Sequence, residues 1–244
     1  MESPTISAFR PVPRTGVIYV NTEAAARGFH RGHPDWCNLG QGQPETGSLE
    51  GAYQIASGTL LSLSEEDLVQ CDTTDNGCSG GLMDNAFKWV EANGIAAESA
   101  YAYTSGGGTT GTCDATKEGV PVVTNSGFTD VPTGDEDALK SAVAQQPVSV
   151  AIEADKSAFQ LYKSGVLDSA SCGTKLDHGV LAVGYGTDSA SGKDYWKVKN
   201  SWGATWGESG YIRMVRGKNM CGIAQQPSYP TGAAAAGPSP PSPP

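Results

Sequence analysis

The chain reads as an α+β protein, with helices gathered in its first half and antiparallel strands in its second. Three observations predict this. Apolar residues recur at helical spacing between Leu49 and Val90, punctuated by capping residues and glycines. After Pro147 the period shortens to strict alternation, with Val148, Val150 and Ile152 on one face. Two further alternating runs, His178–Gly186 and Tyr195–Asn200, flank a Gly/Ser/Asp-rich loop and read as a hairpin.

Taken in order, residues 1–45 fit neither half and read as a foreign leader. From Thr46 a helix is expected, with Leu49 and Tyr53 one turn apart, Ala52 and Ala56 beside them, and Gly58 as its C-terminal stop. Ser64-Glu65-Glu66-Asp67 is a capping-box pattern that starts a short helix ending at Cys71. After the turn-rich stretch Asn76–Gly81, residues Met83, Ala86, Phe87 and Val90 predict a third helix, stopped by Asn93-Gly94. Asp135, Glu136 and Asp137 place acids in the first turn of a fourth, where the helix dipole favours them. The strand after Pro147, the hairpin, and Tyr211–Val215 complete the β half. Residues 231–244, rich in Ala and Pro, cannot build a core and are expected to be disordered or extended.

At 244 residues the chain can bury a sizeable core as one large domain or two lobes. Its net charge of −10 argues against nucleic acid and anionic membrane as partners. No run reaches the ~18 apolar residues needed to span a bilayer. The six cysteines show neither Cys-x-x-Cys spacing nor a Cys/His cluster, so disulfides are favoured over a metal, and an oxidising compartment follows. The first twenty residues nonetheless lack the basic and apolar regions of a secretory signal.

The chemistry-bearing pair is His178 and Asn200. Neighbouring strands can bring an imidazole and a carboxamide into contact. A carbonyl that accepts from one ring nitrogen fixes the tautomer and frees the other nitrogen for proton transfer. Trp202 is placed to roof that bond. Taken alone, a histidine on an apolar strand reads as a core residue making an ordinary structural bond. The pattern Asn200-Ser201-Trp202-Gly203, then Trp206-Gly207-Glu208 and Gly210-Tyr211, resembles the papain family of cysteine peptidases, in its cathepsin L-like, plant-type branch. The resemblance covers residues 46–230.

That resemblance implies two lobes with a cleft between them: a helical left lobe from 46 to about 130 and an antiparallel β right lobe from about 131 to 230. It implies His178 as general acid/base, Asn200 as its orienter and Asp177 as a secondary electrostatic partner. Gly80 and Gly81 would offer backbone hydrogen bonds to an extended peptide. Leu82, Met83, Leu176 and Gly179 would line an apolar pocket with Gln226 near its floor, although Leu82 and Met83 equally fit plain core packing. Bridges Cys71–Cys113 and Cys172–Cys221 carry over, and Cys37 and Cys78 fall on the positions of a third. Partners would be peptide or protein substrates and cystatin-type inhibitors, the state monomeric, and the location lysosomal, vacuolar or extracellular, with no cofactor and no metal.

One part is missing. The family's nucleophile signature, Cys-Gly-[Ser/Ala]-Cys-[Trp/Tyr], belongs ~130–150 residues before the histidine, roughly residues 28 to 48, and nothing there matches. Without gaps the nucleophile position falls on Gly40. A second alignment makes Gln41 the oxyanion-hole donor and deletes the cysteine segment. Either way the central helix is truncated. Ser48 and Ser201 are weak substitute nucleophiles, and His30 and His33 near Asp35 make a weak metal pair. Residues 11–20 and 38–45 resemble the N-terminal segment of class I/II pyridoxal-phosphate aminotransferases, without the domain that holds that cofactor. The expectation is a protease domain without its nucleophile, with a peptide- or inhibitor-binding pseudoprotease and a chimeric join near residues 45–46 as alternatives.

Overall fold

The structure, a computed structural model, describes residues 44–237. Helix α1 (Pro44–Ser57) is followed by α2 (Glu65–Cys71), α3 (Met83–Asn93), β1 (Ile95–Ala96), α4 (Ala115–Glu118), β2 (Pro121–Thr124) and β3 (Gly127–Asp130). Then come α5 (Glu136–Val143), β4 (Val148–Ile152), α6 (Ser157–Gln160), β5 (Val166–Leu167), β6 (His178–Thr187), β7 (Asp194–Lys199), β8 (Tyr211–Val215), β9 (Ser228–Thr231) and β10 (Ala234–Ala235).

The helix stops follow local chemistry. Gly58 takes φ +76°, a left-handed conformation that costs glycine no Cβ clash, and its N–H donates to the Gln54 carbonyl. Ser64 caps α2 by accepting from the Asp67 N–H at 3.0 Å. Asp135 caps α5 by accepting from the Ala138 N–H at 2.8 Å. Helix α1 includes Pro44 and Glu45, so the boundary drawn at residue 46 falls inside a helix; proline is well suited to a first turn, where its missing N–H would be unpaired anyway. The expected truncation of this helix concerns residues before 44, which lie outside the described residues.

Two cores form. Leu49, Leu63, Leu68, Phe87, Val90, Ile95 and Val123 pack among the helices. A larger set, with Leu139, Val150, Ile152, Phe159, Trp196, Val198, Ile212 and Met214, fills the β half. The main sheet has seven strands in the order β3-β9-β4-β6-β7-β8-β5, antiparallel except where β5 lies parallel to β8. A small sheet, β1-β2-β10, belongs to the helical half.

Two expectations are corrected here. The lobe boundary near residue 130 is not a clean cut, because β3 joins the main sheet through β9 while β10 returns from the chain's end to pair with β2. The tail is accordingly ordered through Gly237: Ala234 and Ala235 keep their amide hydrogens and pair on a sheet edge, and the proline run starts only at Pro238. Disulfides Cys71–Cys113 and Cys172–Cys221 are formed, one in each half, with Cα separations of 4.8 and 5.0 Å. Cys78 is also disulfide-bonded, and its expected pairing with Cys37 lies outside the described residues.

The halves meet along α1. A Cβ on Gly47 would stand 2.8 Å from Leu181 Cδ2, and one on Gly51 only 2.6 Å from Pro147 Cγ. These glycines are one turn apart and let the helix backbone lie directly on the sheet. Gly51→Ala should therefore destabilise by about 1–3 kcal/mol through overpacking, despite alanine's better helix propensity. Urea denaturation would show it, and a stabilised variant would contradict this packing.

Candidate active site

Strand register builds the site. In the β6–β7 ladder Leu181 faces Lys199, so the same register carried one residue further sets Asn200 opposite Val180. Residues two apart on a strand share a face, so His178 and Asn200 become diagonal neighbours on one side of the sheet. The imidazole Nε2 and the Asn200 Oδ1 are 2.7 Å apart. Asn200 Oδ1 also accepts from the Ser201 N–H at 2.8 Å, which turns the amide so that oxygen faces the ring. Nε2 is therefore the protonated nitrogen, donating to that oxygen, and Nδ1 carries the lone pair. Nδ1 is buried and has no hydrogen-bond partner among the described residues.

Aromatic rings enclose the pair. Trp202 lies 5.2 Å from the imidazole, centroid to centroid, and Phe159 meets the Trp202 ring edge-on at 5.4 Å. Trp206 supports both. His178 is only 3% exposed. Desolvation disfavours the charged ring and pulls its pKa down to about 4, against the smaller upward pull of the Asn200 hydrogen bond. The imidazole is thus a neutral base through the mildly acidic range.

A cleft of about 910 Å³ opens beside this pair, with Gly80, Gly81, Leu82 and Met83 on one wall and Leu176, Asp177, Gly179 and Gln226 on the other. Gly81 is required by a close approach: its Cβ would come 2.3 Å from the Asp75 carboxylate. Leu82 is 58% exposed and so is no core residue, whereas Met83 packs partly on the helical core. Trp202 roofs the His178–Asn200 bond without lining the cleft. Asp177 accepts from the Ala154 N–H at 2.7 Å, a bond that fixes the loop entering β6. Ser48 is fully buried and donates to the Pro147 carbonyl at 2.8 Å, which removes it as a nucleophile. The Ser201 hydroxyl is buried without a partner among the described residues. Gly40, Gln41, Cys37, His30 and His33 lie outside the described residues. No free cysteine and no metal-holding group of His, Cys, Asp or Glu occurs among the described residues.

The sequence reading missed Glu45. It lies in the first turn of α1, lines the cleft and is buried; burial first, then the charges of Asp75, Asp72 and Asp84, raise its carboxyl to about 8. The sequence reading set it at the end of the leader, one residue before the helix expected from Thr46.

Comparison with known proteins agrees with this geometry. The profile of the papain family cysteine proteases matches residues 43–231. Cysteine proteinase RD21A of Arabidopsis thaliana is 54% identical over 207 residues, 81% of this chain and 44% of that protein. Oryzain beta chain of Oryza sativa subsp. japonica is 52% identical over 200 residues, 79% of this chain and 42% of its own length. This chain thus spans under half of either relative. The bromelain protease of Ananas comosus, solved in complex with the E64 inhibitor, superposes with a TM-score of 0.73 at 42% identity, covering 80% of this chain and 90% of that one. The matched family segment begins at residue 43.

The buried groups set opposite pH dependences. His178 has a folded pKa below its unfolded value of 6.5, so it contributes stability above 6.5 that is lost as pH falls through about 4. Burial raises Asp67 from 3.8 to about 6, so its contribution is complete below 3.8 and is lost as pH rises through about 6. Both windows lie on the acid limb with opposite slopes, so in urea titrations across pH His178→Gln should flatten that limb and Asp67→Asn should steepen it. An unchanged acid limb in His178→Gln would show that the ring is not buried neutral.

Proposed function

The chain belongs to the papain family of cysteine proteases, and from that premise we propose that it is a protease domain whose groove holds extended peptides without cleaving them. The observation that carries the reading is the pairing of a positioned, neutral His178 Nδ1 with the lack of any free thiol among the described residues. The sequence supports it independently, since residues 28 to 48 contain no match to the family's nucleophile motif. In this family the attacking group is a thiolate activated by a helix N-terminus and an imidazolium. A ring held neutral by burial, with no anion beside it among the described residues, matches a site from which that partner has gone.

In such a site His178 is the general acid/base that has kept its orienter, Asn200, while Trp202 keeps water from the bond between them. Gly81 offers main-chain groups to an extended peptide, while Gly80 spends its own N–H and carbonyl in the turn with Asn76 and Gly77. Leu82, Met83, Leu176 and Gly179 receive an apolar side chain beside them, with Gln226 at its far end and Asp177 fixing the strand entry. Gln41 as an oxyanion donor and Cys37 as the partner of Cys78 belong to the same reading. So do a monomeric state, cystatin-type inhibitors as partners, and a vacuolar, lysosomal or secreted location. The relatives solved with E-64, from Ananas comosus and Carica candamarcensis, have the same fold.

Loss of a triad nucleophile costs a factor on the order of 10⁶ in a comparable hydrolase. A fluorogenic peptide with an apolar second residue should therefore be hydrolysed no faster than in buffer, and mass spectrometry should find no E-64 adduct. A cystatin-type inhibitor should still bind. Stoichiometric labelling at Cys37 with turnover would make the chain a working protease and end this reading.

A further inference from the structure

We propose that Asn76 is a site of self-modification, losing its carboxamide to the neighbouring Gly77 amide and so reshaping one wall of the cleft with age. Asparagine is labile where the next residue's nitrogen can reach its side-chain carbonyl carbon, and a following glycine leaves that approach open.

The fold discriminates among the asparagines. Six lie among the described residues, and five of them are held. Asn85 Nδ2 donates to Asp75 Oδ1 at 2.8 Å, and Asn125 Nδ2 donates to the Phe87 and Gly127 carbonyls at 3.2 and 2.8 Å. Asn200 is buried against His178, and Asn219 Oδ1 accepts from the Ala224 N–H at 2.9 Å. Asn93 also precedes a glycine, but its Nδ2 donates to the Trp89 carbonyl at 2.9 Å and the Gly94 N–H to the Val90 carbonyl at 2.8 Å. Asn76 is exposed, and its side chain makes no hydrogen bond among the described residues. The Gly77 N–H donates to none of them either.

The surrounding turn favours the chemistry and fixes the residue that permits it. The Asn76 carbonyl accepts from the Ser79 N–H at 2.9 Å, which polarises the 76–77 peptide group and makes the Gly77 N–H more acidic. Gly77 takes φ +51°, and a Cβ there would stand 2.5 Å from Thr110 Cγ2 and 2.9 Å from the Val69 carbonyl oxygen. No bulkier residue can therefore shield the asparagine. Asn76 has ψ 27°, so ring closure needs its peptide to swing round; an exposed turn makes that excursion more readily than the hydrogen-bonded helix end at Asn93.

Water is the sole co-reactant. The Gly77 nitrogen bonds to Asn76 Cγ, the Cγ–Nδ2 bond breaks, and the amide proton leaves with that nitrogen as ammonia, giving a succinimide. Water opens the ring at Cγ to give aspartate, or at the main-chain carbonyl carbon to give isoaspartate. Isoaspartate routes the backbone through the side chain and adds a carbon between residues 76 and 77. The bonds from the Asn76 N–H to Gly80 O and from the Ser79 N–H to Asn76 O both span that insertion, so the turn they close must change shape. That turn carries Gly80 and Gly81 on the cleft wall beside Asp72 and Asp75, and the new carboxylate adds a charge there.

Peptide mapping by mass spectrometry, on the full chain incubated folded at mildly alkaline pH, tests this. Acid should accumulate at Asn76 at least ~10-fold faster than at Asn93, whose two hydrogen bonds must first be released. Isoaspartate should be among the products, and isoelectric focusing should show a band one charge more negative. Asn76→Gln should abolish that band, and Asn93→Gln should leave it. Hydrogen exchange on the separated acidic form should show lost protection at the residue 76 and Ser79 amides. Asn93 leading, or equal rates at the two sites, would overturn the selection by the fold. A persisting band in Asn76→Gln with native circular dichroism would place the modification elsewhere. Aspartate without isoaspartate would overturn the ring intermediate, and retained protection in the acidic form would overturn the reshaping.

Discussion

The site depends on the register between β6 and β7. A one-residue slip in a sheet sends every side chain to the opposite face, so His178 would leave Asn200 and turn its ring away from the cleft. Several features hold the register in place. Val150, Ile152, Val198 and Ile212 put their apolar faces into the same core, and β4 fixes β6 from its other side by pairing His178 with Ile152. An irregularity between Ala182 and Gly184 absorbs the mismatch farther along β6, away from the histidine. The aromatic cluster of Phe159, Trp202 and Trp206 then sets the dielectric around the ring.

That environment is chemically lopsided. One side of the cleft keeps a base neutral by excluding water, and the other gathers carboxylates until some of them hold protons at neutrality. Both effects are burial acting on the charged form, but they run in opposite directions because one group gains charge with a proton and the other loses it.

Much of this was legible in the sequence. Long alternating runs gave β6 and β7, Ser64 and Asp135 announced their helices, and the Asn200–Tyr211 motif marked the orienter and the indole. The short strands β2, β3 and β9 were not legible. They run four residues each, too few for a period to show, and Pro121 and Pro230 argue locally against strands that tertiary pairing nonetheless imposes. The acid wall was hidden for another reason. Glu45 and Asp84 are far apart along the chain, and nothing in either neighbourhood signals that the fold brings them together. Burial of Ser48 was equally invisible, because the Pro147 carbonyl that occupies its hydroxyl comes from another helix–strand connection.

The exchange of β3 and β10 between the two halves has a mechanical consequence. Each half holds a strip of chain that continues into the other, so the halves are laced together beside α1, which itself packs against β9 and β10. Prising the cleft wide would mean unzipping one of those ladders, starting with the two-residue hem at Ala234–Ala235. The groove can therefore flex at its lips, but its hinge is sewn shut.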